Sequence, residues 1–181
     1  MPLTQSPDEL SAWLRLSLEP NIGSATACML LSALGLPDQI YAQRATALSR
    51  HVPDALARQL AAPMPADMAA QVESALEWVQ APGRHVLTLA DPTYPQSLLT
   101  IADPPILLYV AGDPAFLQGP SLAVVGARNA TPGGQENARA FARHLAGHGW
   151  RVISGLALGI DGAAHEGALR GGGKTIAVVG T

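Results

Sequence analysis

Three stretches in the C-terminal third of this 181-residue chain join a glycine-opened backbone to groups that bind anions or move protons. The first is Gly126-Ala127-Arg128-Asn129-Ala130-Thr131-Pro132-Gly133-Gly134. An apolar run, Leu122 to Val125, leads into it, and Gly126 lets the backbone turn sharply where the run ends. Arg128 projects from the loop, and a helix starting near Pro132 aims its free N–H groups at the same place. A guanidinium beside a helix N-terminus suits a phosphate. The plainer reading is an arginine in solvent on a loop. The spacing is not GxGxxG, and Ala146-Gly147-His148 stand where a dinucleotide site would carry an acid, so a nicotinamide cofactor fits poorly.

The second stretch is Ser154-Gly155-Leu156-Ala157-Leu158-Gly159-Ile160-Asp161. Gly155 and Gly159 free the backbone, Ser154 offers a hydroxyl, and small residues let a sugar–phosphate backbone approach closely. Asp161 and His165 are four apart and share a helix face. They could form an acid/base or metal pair, but no third ligand or nucleophile stands near them in sequence. The structural alternative, which we favour, makes Asp161 a cap or first-turn acid with His165 as its hydrogen-bond partner. The third stretch is Gly171-Gly172-Gly173-Lys174-Thr175, which holds the only lysine of the chain. A phosphate loop of the Gly-Lys-Thr type would need glycine at position 168, where alanine stands, and a strand before the loop rather than after it. A place just before a strand puts Lys174 at the amino edge of a sheet, away from the other two stretches.

The elements that position these loops follow from periodicity. Leu122–Gly126, Arg151–Ser154 and Thr175–Val179 read as buried strands, with helices over Pro132–His148 and Ile160–Arg170 between them. Strand–helix–strand–helix–strand with continuous apolar strands predicts a parallel sheet covered on both faces, with ligands at the carboxyl ends of its strands. Before these, His85–Ala90 and Ile106–Val110 read as strands, with a one-turn helix over Tyr94–Leu99. Residues 8–80 read as short helices punctuated by prolines: Asp8–Leu18, a helix running to Gly35, and segments near 38–49, 53–61 and 67–80. Pro20 to Leu31 has the form of a helix-hairpin-helix turn around Gly23, yet no base lies between Arg15 and Arg44 to support a nucleic acid there. Pro63-Met64-Pro65 reads as a hinge and Pro82-Gly83 as a domain boundary.

Composition fits this division. Hydrophobic residues are 48% and charged residues 14%, so the chain is globular rather than disordered. No apolar run is long enough to span a membrane, and the N-terminus lacks the basic and apolar regions of a signal peptide. One cysteine, Cys28, excludes an internal disulfide and a cysteine-based zinc cluster. The cytoplasm is the expected compartment. The net charge of −3 hides an asymmetry: residues 1–119 hold 5 bases and 11 acids, residues 120–181 hold 6 bases and 3 acids. A basic C-terminal third raises the prospect of a polyanionic ligand. Thirteen of the 18 glycines also follow residue 120, whereas 14 of the 15 prolines lie at or before it, which separates a helical front from a glycine-looped α/β part. The chain stops directly after a strand that would normally lead into a covering helix, so the sequence reads as a piece of a longer protein.

With these residues in view, the chain resembles the DNA-processing protein A family (DprA, also called Smf). The resemblance is carried by Tyr94-Pro95, Leu98, Asp103-Pro104-Pro105, Leu108-Tyr109 and Gly112, then by Val124-Val125-Gly126-Ala127-Arg128. Ser154 to Asp161 with Ala164-His165, and Thr175 to Thr181, complete it. It implies an α/β fold: a Rossmann-like parallel sheet, incomplete at the C-terminus, in residues 83–181. A small all-α domain of sterile-alpha-motif type, containing the helix-hairpin-helix, would precede it in residues 1–82. It implies a recombination mediator of natural transformation, or competence, that binds single-stranded DNA (ssDNA), protects it and loads the RecA recombinase. Single-strand-binding protein is a further implied partner, and homodimerisation is implied for the full-length protein. No enzyme activity, cofactor, metal or membrane is implied. The family's ssDNA pocket maps onto Gly126, Arg128, Ser154, Gly155 and Lys174, with Gly159, Asp161 and His165 as structural or capping residues. Only Phe141 and Trp150 are aromatic after residue 120, so binding should rest on phosphate contacts, with little sequence preference and strong salt dependence. The alternative is a Rossmann-like nucleotide hydrolase or phosphoribohydrolase, with Asp161 or Glu166 doing the chemistry.

Overall fold

A computed structural model describes residues 6–180, which form two compact units, up to Pro114 and from Ala115. Met1–Gln5, at the N-terminus searched for a signal peptide, and Thr181, the last residue of the Thr175–Thr181 motif, lie outside the described residues.

The first unit opens with α1 (Pro7–Leu18). Ser6 and Glu9 close a capping box, with Glu9 N donating to Ser6 Oγ at 3.2 Å and Ser6 N to Glu9 Oε2 at 2.8 Å. The helix buries Trp13, Leu14 and Leu16, each contributing on the order of 1.5–3 kcal/mol through lost apolar exposure. Next come α2 (Ser24–Leu34), α3 (Pro37–Tyr41), α4 (Ala45–Leu48), α5 (Asp54–Ala61) and α6 (Ala66–Val79). The segment expected near 38–49 is thus two short helices. The turn before α2 also differs from its expected form. Gly23 sits in extended backbone at φ −83°, and Asn21 takes the left-handed conformation at φ 65°. Asparagine tolerates that region because its short amide can bond locally. The Pro63–Pro65 segment is anchored: Arg15 Nη2 donates to Ala62 O at 2.8 Å, and Met64 packs beside Leu14, Val72 and Ala75.

Strands β1 (Arg84–Thr88) and β2 (Leu107–Ala111) pair antiparallel. They belong to the helical unit because Ile106 joins the Trp13–Leu30–Ile40 core and Leu107 packs beside Leu14 and Val72. The loop signal stands at Pro82-Gly83, whereas the compact units part at Pro114. A buried polar cluster stiffens this unit. Glu19, 4% exposed, accepts from Arg15 Nε at 3.2 Å, Tyr41 Oη at 3.3 Å and Gln59 Nε2 at 2.6 Å. Burial first, and then the Glu19 carboxylate, push the Tyr41 hydroxyl far above the ordinary phenol range.

The second unit runs β3 (Ser121–Ala123), α7 (Pro132–Gly147), β4 (Arg151–Ser154), α8 (Ile160–Arg170) and β5 (Thr175–Ala177). Its strands form one parallel sheet in the order β3-β4-β5. Both crossovers step in the same direction, so right-handed connections place α7 and α8 on the same face. The two helices meet through small residues. A Cβ on Gly167 would overlap the Arg139 carbonyl, and one on Gly171 would come within 2.5 Å of the Arg143 carbonyl. Ala142, Ala146, Ala164 and Ala168 fill the seam above Val152. Among the described residues the helices cover one face of the sheet. The face turned away from the helices leaves Val125 73% and Val178 63% exposed. Same-direction crossovers cannot supply helices to both sides.

Candidate nucleic-acid interface

The carboxyl edge of the three-stranded sheet is built from two interlocked loops, residues 124–131 after β3 and 155–159 after β4. The β4 loop ends at Gly159, the N-cap of α8, with φ 85° and ψ −125°. Those angles belong to glycine, and the space does too: a Cβ there would overlap the Ala127 and Arg128 carbonyl oxygens. Ile160 N donates to Ala127 O at 3.2 Å, and the Ile160 side chain fills the place where Gly126 lacks a Cβ. The second loop thus clamps the first and fixes the stem from which Arg128 rises.

Arg128 is exposed, and no carboxylate among the described residues pairs with it. Thr131 caps α7 by accepting from Gly134 N at 3.1 Å, and Gln135 N takes the Thr131 carbonyl at 3.0 Å. Pro132 has no N–H, so Gly133 N–H is the donor left at that helix end. A Cβ on Gly133 would meet nothing within 4 Å, so its side-chain position is open. A guanidinium and a helix N-terminus therefore lie on one loop.

Ser154 and Gly155 lie at this edge with different duties. The Ser154 hydroxyl donates to Val124 O at 2.7 Å and is 3% exposed, so it locks β4 to the strand beside it. Gly155 N donates to Asp161 Oδ2 at 3.2 Å, and a Cβ on Gly155 would strike that carboxylate. Asp161 is a buried first-turn acid that holds the β4 loop. His165 does not pair with it as the sequence suggested. Its Nδ1 lies 2.6 Å from Thr175 Oγ1, which itself donates to Val152 O at 2.8 Å. The threonine proton is used, so His165 Nδ1 carries the proton and Nε2 is a buried acceptor without a partner among the described residues. Burial lowers the His165 pKa, and the Asp161 charge opposes that shift. Among the described residues no three His, Cys, Asp or Glu side chains gather as metal ligands would.

Lys174 is not brought to this edge. It precedes β5 at the amino end, and its Nζ rests 3.5 Å above the Phe116 ring. Sequence reasoning also missed the apolar rim beside Arg128. Leu156 and Leu158 are 61% and 83% exposed, and Leu156 holds φ 60°, rare for a branched side chain. Their alternation within a glycine-rich loop was the available signal, because apolar residues in such a loop have no core to enter.

Residues 85–181, more than half of the chain, match the family model described as DNA recombination-mediator protein A. The chain is 41% identical over 109 residues to Protein Smf of Escherichia coli, covering 60% of this chain and 29% of that protein. It is 43% identical over 94 residues to DNA processing protein DprA of Streptococcus pneumoniae, covering 52% of this chain and 33% of that protein. The X-ray structure of DprA from Streptococcus pneumoniae matches with a TM-score of 0.68 at 28% identity, covering 99% of this chain and 59% of that one. The chain spans only about a third of the length of these curated relatives. Among the described residues no helix is long and apolar enough to cross a membrane. The Gly126–Arg128 and Ser154–Asp161 loops fall within the matched region, and the chain belongs to the DNA recombination-mediator protein A family.

Proposed function

We propose that the carboxyl edge of the β3-β4-β5 sheet binds the sugar–phosphate backbone of ssDNA, with Arg128 as its principal cation. The observation that carries this reading is an exposed Arg128 without a carboxylate partner among the described residues, on the loop that leads into the N-terminus of α7. Gly126 and Gly155 offer exposed backbone to the strand, while their side-chain positions are taken by Ile160 and Asp161. Ser154, Gly159, Asp161 and His165 position the loops rather than touch the strand. Val125, Leu156 and Leu158 offer apolar surface to base faces, which read no sequence. Lys174 acts from the amino edge as a separate cation, and its removal costs less affinity than removal of Arg128. Functionally, residues 83–181 form the ssDNA-binding part and residues 1–82 the helical, sterile-alpha-motif-like part, although β1 and β2 pack on the helices.

The role is binding rather than catalysis. Both acids that a hydrolase or phosphoribohydrolase would recruit are engaged: Asp161 accepts from Gly155 N, and Glu166 is paired with Arg139 and Arg170. For the whole protein we infer a cytoplasmic recombination mediator of natural transformation, acting as a homodimer that shelters incoming ssDNA, meets single-strand-binding protein and loads RecA. Family membership supports that inference.

Fluorescence anisotropy with a labelled oligo-dT tests the site. Arg128→Ala is expected to weaken binding about ten- to a hundredfold, since a charged hydrogen bond contributes about 1.5–3 kcal/mol. The loss is expected to be equal across sequences, and the slope of log K against log salt to fall by about 0.7–1. Unchanged affinity and slope would remove Arg128 from the site.

A further inference from the structure

The basic charge of the second unit does not gather at the carboxyl edge. Its six bases are Arg128, Arg139, Arg143, Arg151, Arg170 and Lys174, and Arg128 alone lies on the edge loops. Three of the others flank a groove of about 510 Å³ along the outer seam of α7 and α8, lined by Arg139, Arg143 and Arg170 with His144 and His148. We propose that this groove is a second phosphate-binding site. As a contact for a DNA strand it extends the carboxyl-edge reading and rests on it; as a site for a small phosphate it does not.

Shape and charge both support the assignment. Gly167 and Gly171 line the groove and let α8 press onto the Arg139 and Arg143 carbonyls, which brings the two helices close along its floor. The volume lies within the roughly 300–1,000 Å³ of ligand sites. Glu166 holds two guanidinium groups at once, taking Arg139 Nε at 2.6 Å and Arg170 Nη2 on its other oxygen. Glu136 takes Arg139 Nη1 at 3.3 Å. Two carboxylates therefore fix two of the arginines, and Arg143, exposed and without a carboxylate partner among the described residues, supplies the uncompensated charge. The His144 and His148 rings lie tilted with centroids 4.3 Å apart, and His148 Nδ1 lies 2.8 Å from His144 O, which walls the groove at the C-terminal end of α7. Arg139 gives its donors to Glu166, Glu136 and Gln135, so the guanidinium fork that suits phosphate oxygens here is that of Arg143. In a β-α-β crossover a helix returns from the carboxyl edge to the amino edge. The C-terminal half of this groove accordingly lies toward the Lys174 end of the sheet, apart from Arg128.

The test uses the 181-residue chain, labelled oligo-dT and inorganic pyrophosphate. Arg143→Ala is compared with Arg128→Ala and the parent, with thermal unfolding as the control for folding. His144 and His148 C2–H proton signals, assigned with His144→Gln and His148→Gln, report the groove directly. If Arg143→Ala weakens oligo-dT binding three- to tenfold and lowers the salt slope, the phosphate comes from a DNA backbone. If oligo-dT binding ignores Arg143, or is absent from the parent, but pyrophosphate moves both histidine signals in the parent and not in Arg143→Ala, the groove takes a small phosphate. The second of those parent results also refutes the carboxyl-edge reading while the groove stands. The proposal is overturned if Arg143→Ala changes neither oligo-dT binding nor the response to pyrophosphate.

Discussion

Gly159→Ala attacks the clamp between the two loops without altering any side chain proposed to meet DNA. The residue holds φ 85° and ψ −125°, a conformation that costs an L side chain about 1–3 kcal/mol. The added methyl carbon would lie 2.8 Å from the Arg128 carbonyl carbon and overlap the oxygens of Ala127 and Arg128. Those atoms are backbone and cannot rotate away, so the overlap adds about 1–3 kcal/mol of overpacking. The combined cost of roughly 2–6 kcal/mol is a large share of the ~5–15 kcal/mol that hold a domain folded. If the second unit survives, it does so by parting the loops and moving the stem of Arg128. Urea unfolding followed by circular dichroism reads the first effect, and oligo-dT anisotropy reads the second. Gly133→Ala is the control, because its Cβ meets nothing within 4 Å and its φ is ordinary. It is expected to stay within about 0.5 kcal/mol of the parent or to gain slightly. If Gly159→Ala unfolds like the parent and binds oligo-dT as tightly, the interlocked-loop argument is wrong.

Two further outcomes follow from the buried polar groups. Glu19→Ala strips the acceptor from Arg15, Tyr41 and Gln59 and leaves a nearly buried guanidinium unpaired, at a cost of about 3–5 kcal/mol, read as a lowered urea midpoint; a change under 1 kcal/mol contradicts it. Burial holds the His165 pKa below its ordinary value, so the unfolded chain takes up that proton first as pH drops. Stability is therefore full above about pH 6.5 and declines below it, by at most about 1.4 kcal/mol per pH unit for this group. His165→Leu is expected to flatten that decline between pH 6.5 and 5, and an unchanged slope would refute the assignment.

Local pattern made much of the second unit legible. The Arg151–Ser154 strand and the Ile160–Arg170 helix have the bounds their periodicity predicts, because apolar alternation and flanking glycines mark both ends. What escaped depends on contacts far apart in sequence. Ser154 reads as a free hydroxyl until Val124 O is seen beside it, 30 positions away. His165 reads as the partner of Asp161 at helical spacing until β5 brings Thr175 to its Nδ1. The exposed sheet face could not be read from apolar strands alone, since strand order decides where the helices fall. Arg139, Arg143 and His144 look like a solvated helix face, and only Gly167 and Gly171, pressed on the α7 backbone, turn that face into a groove. Placement of Arg128 was readable because a glycine, a loop and a proline-started helix are all local signals.

Amide hydrogen exchange with and without saturating oligo-dT tests the central claim most directly, because it reports where a strand lies. The account predicts slowed exchange in residues 126–134 and 155–160, and loss of that protection in Arg128→Ala. Protection confined to residues 6–114, with the two edge loops exchanging as in the free protein, would contradict it.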